Sequence, residues 1–157
     1  MKELFTFFWS GSFSQWHPSA FTIDGVTYNC AELYMMAEKA RLFGDTAREA
    51  MIMATSDPRD QKRYGRMVEG FDNAIWMANA KVIVKRASVA KFTQNAHLLS
   101  DLMDTTGTTL VEASPEDKLW GIGLRKTDRR AMRRDTWQGK NWLGEVLTEV
   151  RDEQPTS

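Results

Sequence analysis

The sequence predicts a mostly helical α+β fold, a compact single domain with a small N-terminal β-sheet. Strand-like segments lie near the N-terminus, and apolar residues recur at helical spacing through much of the remaining chain. The chain has 157 residues, a common length for one domain, and no repeat or linker divides it. We therefore expect one domain over residues 1–151, followed by a polar tail over residues 152–157.

Two segments near the N-terminus have the pattern of β-strands. Residues 5–9 form a short apolar run, and residues 21–28 alternate apolar and polar side chains around an Asp-Gly dipeptide that favours a hairpin turn. The intervening residues 10–20 are rich in Gly, Ser and Pro, which predicts an irregular loop of the kind that often carries function. Together these segments predict a small N-terminal sheet.

The strongest helical period begins at Ala31. Apolar side chains recur from there at steps of three and four residues as far as Phe43, and Gly44 supplies a stop. We therefore expect a helix of about three turns. The other predicted elements are helices over residues 45–54, 58–67, 73–86, 91–103 and 142–150, a strand over residues 108–113, and a helical turn that opens at residues 114–117.

Composition and charge exclude several classes of protein. Apolar residues make up 42%, and 21 basic side chains balance 21 acidic ones, which excludes a disordered chain and a globally basic nucleic-acid-binding protein. No run of eighteen apolar residues and no signal-peptide pattern occurs, so we expect a cytoplasmic protein without a membrane segment. One cysteine and two histidines exclude an internal disulfide and argue against a zinc site. Neither a metal nor a cofactor is predicted.

Two acidic residues are candidate catalytic groups. Glu32 follows Asn29 by three residues at the start of the strongest helix, and Asp117 follows Ser114 by three residues in the same arrangement. Each spacing fits the capping box of a helix N-terminus, which is a structural role. Both acids also lie beside aromatic residues, and a carboxylate at a helix N-terminus is favoured in its ionised form, suited to polarising water or stabilising positive charge. Both interpretations stay open at this point.

Candidate ligand-binding residues accompany these acids. Lys39 lies two helical turns after Glu32 on the same face, where it is either a solvated charge or a phosphate ligand. Trp76 and Trp120 are either rings that stack on a base or parts of the core. Gly121 indicates a tight loop beside Trp120.

Residues 125–134 concentrate positive charge in an otherwise neutral protein. The segment is either a solvated basic face or a local contact for a phosphate backbone such as that of DNA. Its six basic residues are Arg125, Lys126, Arg129, Arg130, Arg133 and Arg134.

Four blocks of the sequence resemble the NADAR family, also called YbiA-like. They are FFWSGSFSQWHPSAFTIDGVTYNCAELYMMAEKARLFGD, DPRDQKRYGRMVEGFD with a following Trp76, LVEASPEDKLWGIGL and WQGKNWLGEVLTEVR. Their order and spacing are similar to the family over nearly the whole chain. The resemblance implies a compact, mostly helical domain that cleaves N-glycosidic bonds. Two substrate classes are associated with the family: a ribosylamino-pyrimidine phosphate from early riboflavin biosynthesis, and ADP-ribose attached to guanine in DNA.

The resemblance also implies roles for individual residues. Glu32 is the leading catalytic carboxylate, with Asp117 as its companion, and Trp76 and Trp120 line the pocket. Positions associated with substrate or phosphate contacts are Lys39, Arg66, Gly121 and Asn141. No metal is needed, because a fixed carboxylate near C1 of ribose stabilises the positive charge that develops as the C1–N bond breaks, or activates the attacking water.

Two departures from the family pattern bear on the reaction. Leu33 stands where a polar Gln or His is expected after the catalytic carboxylate, a position that bears on how water is held. Residues 125–134 are more basic than expected in that loop, which favours a polyanionic substrate. The preferred prediction is therefore removal of ADP-ribose from ADP-ribosylated guanine in DNA. The alternatives are hydrolysis of the riboflavin-pathway intermediate and a noncatalytic ADP-ribose-binding module.

Overall fold

The computed structural model describes residues 2–155, which form two compact units. One unit comprises residues 15–95, and the other comprises the described parts of residues 1–14 and 96–157. The strands are β1 (Phe5–Phe8), β2 (Phe21–Ile23), β3 (Val26–Tyr28) and β4 (Thr109–Glu112). The α-helices are α1 (Ala31–Leu42), α2 (Thr46–Met53), α3 (Pro58–Gly65), α4 (Asn73–Thr93), α5 (Ala96–Met103) and α6 (Trp142–Asp152). The predicted mostly helical α+β class is confirmed.

The unit of residues 15–95 contains the predicted hairpin and the strongest predicted helix. β2 and β3 pair in antiparallel fashion, and the turn residues Asp24 and Gly25 both have positive φ, at 51° and 80°, as a type I′ turn requires. α1 contacts α2, α3 and α4 and ends just before Gly44, whose φ of 69° is the left-handed conformation that terminates many helices. The hairpin and the bounds of this helix are confirmed.

One helix in this unit is longer than predicted. α4 continues through the expected break after Arg86 and ends at Thr93, so the boundary predicted between the helices over residues 73–86 and 91–103 is wrong. The helix ends where the Gln94 side chain accepts a hydrogen bond from the Thr22 backbone N–H at 2.8 Å and donates one to the Thr22 carbonyl at 2.9 Å. These contacts join residues distant in sequence, so local periodicity does not reveal them.

In the other unit, β1 pairs with β4 rather than with the hairpin. The pairing is parallel, with Phe5 opposite Thr109 and Phe8 opposite Glu112. The strand predicted over residues 108–113 is thus confirmed. The N-terminal apolar run pairs with this strand in a two-stranded sheet that is separate from the hairpin. Parallel strands need a long connection between them. The connection between β1 and β4 is so long that the sequence pattern does not identify β4 as the partner of β1.

An apolar cluster and α6 pack within this unit. The cluster consists of the buried residues Val111, Ala113, Ile122, Leu124 and Ala131, with Phe5, Phe7 and Trp137 packed against them. α6 contacts β4 and buries the predicted residues Leu143, Val146, Leu147 and Val150. The helix extends to Asp152, the first residue of the predicted polar tail, and residues 156 and 157 of that tail lie outside the described residues.

The helical turn predicted to open at residues 114–117 is wrong. The described chain is irregular there, because the Asp117 side chain bonds to the backbone of the residues that follow it. Such local side-chain bonds compete with the bonds of a helix. Within residues 2–155, no helix has the length and apolar character needed to cross a membrane.

Candidate active site

Glu32 is the second residue of α1 and is only 4% exposed. Its backbone N–H donates to the Gln15 carbonyl at 3.0 Å, which ties the start of the helix to the irregular loop before β2. Cys30 occupies the N-cap position, and the Asn29 side chain donates instead to the Ser56 carbonyl at 2.8 Å. The capping box predicted for Asn29 and Glu32 is therefore wrong. A carboxylate in the first turn of a helix is stabilised by the positive end of the helix dipole.

Lys39 is half-buried on α1 and interacts electrostatically with Glu32. The pKa of Lys39 lies below its usual value, because burial lowers it more than the Glu32 charge raises it, and the Arg66 charge lowers it further. The Lys39 Nζ atom lies 4.7 Å from the ring centroid of Phe71 and 5.6 Å from that of Trp76. Lys39 thus shares a face of α1 with Glu32, as their spacing predicts, and it is not a fully solvated charge.

Trp76 and Phe71 lie on either side of the residue that caps α4. That residue is Asp72, whose side chain accepts a hydrogen bond from the Ile75 N–H at 3.1 Å. Trp76 is buried, whereas Phe71 is 43% exposed and its ring lies 5.4 Å from the ring of Phe43. Phe71 is not among the residues predicted from the sequence. The available signal was an aromatic residue directly before a helix-capping aspartate, inside one of the four matching blocks.

The Cys30 thiol and the Lys91 amine are also buried in this unit. The Cys30 thiol donates to Gln61 Oε1 at 3.3 Å, and burial raises its pKa to about 11, so it stays protonated near neutral pH and is a poor nucleophile. Burial lowers the pKa of Lys91 to about 7. In the part of the chain that the structure describes, no group of three or more His, Cys, Asp or Glu side chains is arranged to hold a metal ion.

In the other unit, Asp117 organises the loop that carries Trp120. Asp117 Oδ1 accepts hydrogen bonds from the backbone N–H groups of Leu119 at 2.9 Å and Trp120 at 2.8 Å. The Trp120 ring is half-buried and meets the Trp142 ring edge to face, with centroids 5.7 Å apart. These bonds support a structural role for Asp117, whose side chain holds the backbone of the loop. The catalytic role of Asp117 stays a prediction.

Gly121 and Asn141 hold this loop close to β4. A Cβ atom on Gly121 would lie 2.9 Å from the carbonyl oxygens of both Asp117 and Glu112, so a larger residue does not fit without movement. The buried Asn141 accepts from the Glu112 N–H through Oδ1 at 2.9 Å and donates to the Leu110 carbonyl through Nδ2 at 3.0 Å. These bonds favour a structural role for Asn141 over the predicted substrate contact.

The basic segment carries less unpaired charge than its composition suggests. Arg130 is paired with Asp128 at 2.9 Å and Arg133 with Asp135 at 2.8 Å. Arg134 donates to Glu3 and also lies over the ring of Trp137. The remaining basic residues of the segment, Arg125, Lys126 and Arg129, are exposed.

The predicted site residues fall into two groups, one in each unit. The Glu32 group, in residues 15–95, consists of Glu32, Lys39, Arg66 and Trp76. The Asp117 group, in the other unit, consists of Asp117, Trp120, Gly121 and Asn141. The Glu32 group combines a buried carboxylate, two cations and an aromatic ring, while the Asp117 group is an ordered glycine-containing loop with a partly exposed tryptophan.

Comparisons with known proteins extend over almost the whole chain. The family model of the NADAR domain matches residues 7–154. The chain is 42% identical over 146 residues to the N-glycosidase R617 of Acanthamoeba polyphaga mimivirus, covering 90% of this chain and 86% of the relative. It is 30% identical over 155 residues to the chloroplastic riboflavin biosynthesis protein PYRR of Zea mays, covering 91% of this chain and 23% of that protein. The NMR structure of the E. coli protein YbiA superposes with a TM-score of 0.79 at 29% identity, covering 98% of this chain and 86% of that one.

These matches confirm the resemblance carried by the four sequence blocks. The family model begins within the first block and ends beyond the last. The structural neighbour has the same mostly helical fold. The chain therefore belongs to the NADAR domain family.

Proposed function

We propose that this N-glycosidase removes ADP-ribose from ADP-ribosylated guanine in DNA. The coarser activity follows from its relatives: proteins named N-glycosidases match about nine-tenths of the chain, and the chain is a hydrolase that acts on N-glycosyl bonds. The observation that carries the catalytic assignment is the buried Glu32 carboxylate, coupled to the half-buried Lys39 cation on the same helix.

Glu32 is the proposed reacting carboxylate. Cleavage of the C1–N bond places positive charge on the ribose ring, which a fixed carboxylate stabilises, and the same carboxylate takes a proton from the attacking water. Burial strengthens both effects, because the charge acts in a medium of lower dielectric constant than water. The side chain is already placed in the first turn of a rigid helix, so little reorganisation is needed during the reaction.

Lys39 and Arg66 are the proposed phosphate ligands. Both substrate classes carry phosphate on ribose, and lysine and arginine are the side chains best suited to bind it. Their mutual repulsion, which contributes to the lowered pKa of Lys39, is relieved when a dianion binds between the two charges. This arrangement accounts for phosphate but does not distinguish ADP-ribose from a simpler ribose phosphate.

Exposed positive charge supports the proposal that the ADP-ribosyl group is attached to DNA. Arg125, Lys126 and Arg129 are available for phosphate contacts, whereas the paired arginines of the segment are partly neutralised. The proposed DNA contact is thus narrower than the six basic residues predicted from sequence. The predicted cytoplasmic location stays a prediction.

A riboflavin-pathway intermediate is the second candidate substrate. Its support is the similarity to the maize protein PYRR, which is named for riboflavin biosynthesis and of which this chain covers 23%. To discriminate the two candidates, purified protein is incubated with an ADP-ribosylated oligonucleotide and, separately, with the ribosylamino-pyrimidine phosphate. We expect free ADP-ribose and restored guanine in the first reaction. Faster release of ribose phosphate in the second reaction would transfer the assignment to the alternative.

Removing the exposed cations is expected to weaken the reaction on DNA more than on a small substrate. The triple variant Arg125→Ala, Lys126→Ala, Arg129→Ala no longer binds distant phosphates. The slope of log KM against log salt concentration should therefore fall by about 1 for each phosphate contact that is lost. Activity on an ADP-ribosyl-nucleoside should be unchanged. The control replaces Arg130 and Arg133, which are already paired with acids. An equal loss on both substrates would show that the exposed cations serve folding or the pocket instead.

Trp120→Ala is expected to weaken substrate binding more than it destabilises the fold. A ring that stacks on a base contributes about 1 to 3 kcal/mol to binding, whereas truncation of a core tryptophan costs about 3 to 5 kcal/mol of stability. Trp137→Ala is the matched control, since Trp137 is also half-buried but packs against the apolar cluster and donates to the Ala131 carbonyl. Binding and urea unfolding are measured for both variants. A core-sized stability loss in Trp120→Ala would identify this ring as part of the packing.

A further inference from the structure

The ammonium group of Lys39 lies over the faces of two aromatic rings. Nζ is 4.7 Å from the centroid of Phe71 and 5.6 Å from that of Trp76, and both distances fall within the range of cation–π attraction. Trp76 belongs to the Glu32 group, whereas Phe71 lies outside both groups of predicted site residues. A partly desolvated cation benefits from such contacts more than an exposed one does.

The segment that presents Phe71 is held in place by hydrogen bonds. Asp45 Oδ2 accepts from the Glu69 N–H at 2.8 Å, while its Oδ1 accepts from the Arg48 N–H at 3.0 Å. These bonds hold the pKa of Asp45 below its usual value. Gly70 has a φ of 76°, a left-handed conformation that turns the chain directly before Phe71. The Phe71 ring is therefore positioned by the fold rather than left free on the surface.

We propose that Phe71 and Trp76 form an aromatic clamp that holds the Lys39 ammonium in position to bind a substrate phosphate. Phe71 is therefore a positioning residue. The inference rests on the proposed function in assigning phosphate to Lys39. The rings fix the ammonium without a hydrogen bond, so its N–H donors stay available for phosphate oxygens. A carboxylate hydrogen-bonded to the ammonium in place of the rings would occupy those donors.

The clamp also opposes the effect of burial on the charge of Lys39. Burial and Arg66 disfavour the protonated amine, while Glu32 favours it. The negative ring faces of Phe71 and Trp76 act in the same direction as Glu32. Loss of one ring face should therefore lower the pKa of Lys39 further, and the pH above which phosphate binding fails should fall with it.

The test compares Phe71→Leu, which keeps apolar bulk but removes the ring, with Phe71→Tyr, which keeps the ring. Met67→Leu is the matched control, because Met67 lies in the same segment with the same exposed fraction, 43%. The pKa of Lys39 is followed by NMR of its side-chain carbon nuclei, and the Kd of ribose 5-phosphate is measured across pH. We expect Phe71→Leu to lower the Lys39 pKa and to raise the Kd about fivefold to thirtyfold at neutral pH, with the other two variants close to the wild type.

The two measurements separate the inference from the function on which it rests. An unchanged or raised Lys39 pKa in Phe71→Leu overturns the clamp. If Phe71→Leu lowers the Lys39 pKa but even the wild type does not bind ribose 5-phosphate, the clamp is supported and the proposed phosphate site is contradicted. Equal losses of ribose 5-phosphate affinity in Phe71→Leu and Phe71→Tyr also overturn the clamp. The tyrosine variant keeps a ring at this position, so it should still hold the ammonium.

Discussion

Glu32→Gln is expected to slow N-glycosidic cleavage by at least about a hundredfold, the lower end of a typical acid–base contribution. Glutamine keeps the size and position of the side chain but carries no negative charge and does not accept a proton from water. Because Asn29 and Glu32 do not form a capping box, the substitution removes no cap. The lost interaction with the helix dipole costs only about 0.3 to 1 kcal/mol. The lost attraction to Lys39 is offset because a neutral side chain costs less to bury than a charge, so the melting temperature should fall by less than about 4 °C.

Glu38→Gln is the matched control for this substitution. Glu38 lies on the same helix, and its carboxylate is 3.8 Å from the Arg86 guanidinium. It belongs to neither proposed site group, so turnover should stay near the wild-type value. Asp117→Asn tests the other predicted carboxylate. Near-wild-type turnover in Glu32→Gln together with a large loss in Asp117→Asn would move the catalytic assignment to Asp117.

Asn141→Ala is expected to destabilise the protein by at least about 3 kcal/mol. The substitution leaves the Glu112 N–H and the Leu110 carbonyl without their partners, and an unsatisfied buried group costs about 1 to 3 kcal/mol. It also places alanine at a φ of 54°, a left-handed conformation that costs about 1 to 2 kcal/mol without glycine or asparagine. The measurement is the free energy of unfolding in urea.

Asn141→Gly separates these two contributions. Glycine removes the same two side-chain hydrogen bonds but tolerates the left-handed backbone, so it should be more stable than the alanine variant by about 1 kcal/mol. Gly144 leaves the space that the Asn141 amide occupies, because a Cβ on Gly144 would collide with Asn141 Oδ1 and Nδ2. A loss below about 1 kcal/mol in Asn141→Ala would contradict the structural role given to Asn141.

Local sequence signals predicted the elements that local interactions determine. The Asp-Gly turn of the hairpin and the helix from Ala31 to the glycine stop depend on backbone preference and apolar spacing, and both form as expected. The pairing of β1 with β4 and the end of α4 at Gln94 depend on contacts between distant residues. The loop around Asp117 was misassigned because its side chain satisfies the same N–H groups that a helix would leave open.

The candidate site was predictable where function and helical spacing coincide. Glu32 and Lys39 are seven residues apart on one helix, so their shared face follows from the sequence. Phe71 is contributed by a loop, and its approach to Lys39 has no signature in spacing. Asn141 lies in a matching block, and its side chain bonds to the backbone of β4. The family motif did not reveal this structural contact, and the substrate contact of Asn141 stays a prediction.

The proposed reaction depends on the Glu32 carboxylate, which drives hydrolysis of the bond between ribose C1 and a nucleobase. The most direct measurement is the intact mass of an ADP-ribosylated oligonucleotide during incubation with wild type or Glu32→Gln at equal concentrations. We expect wild type to remove the whole ADP-ribosyl mass and to restore unmodified guanine, while the variant is slower by at least about a hundredfold. Cleavage at equal rates by both proteins would contradict it.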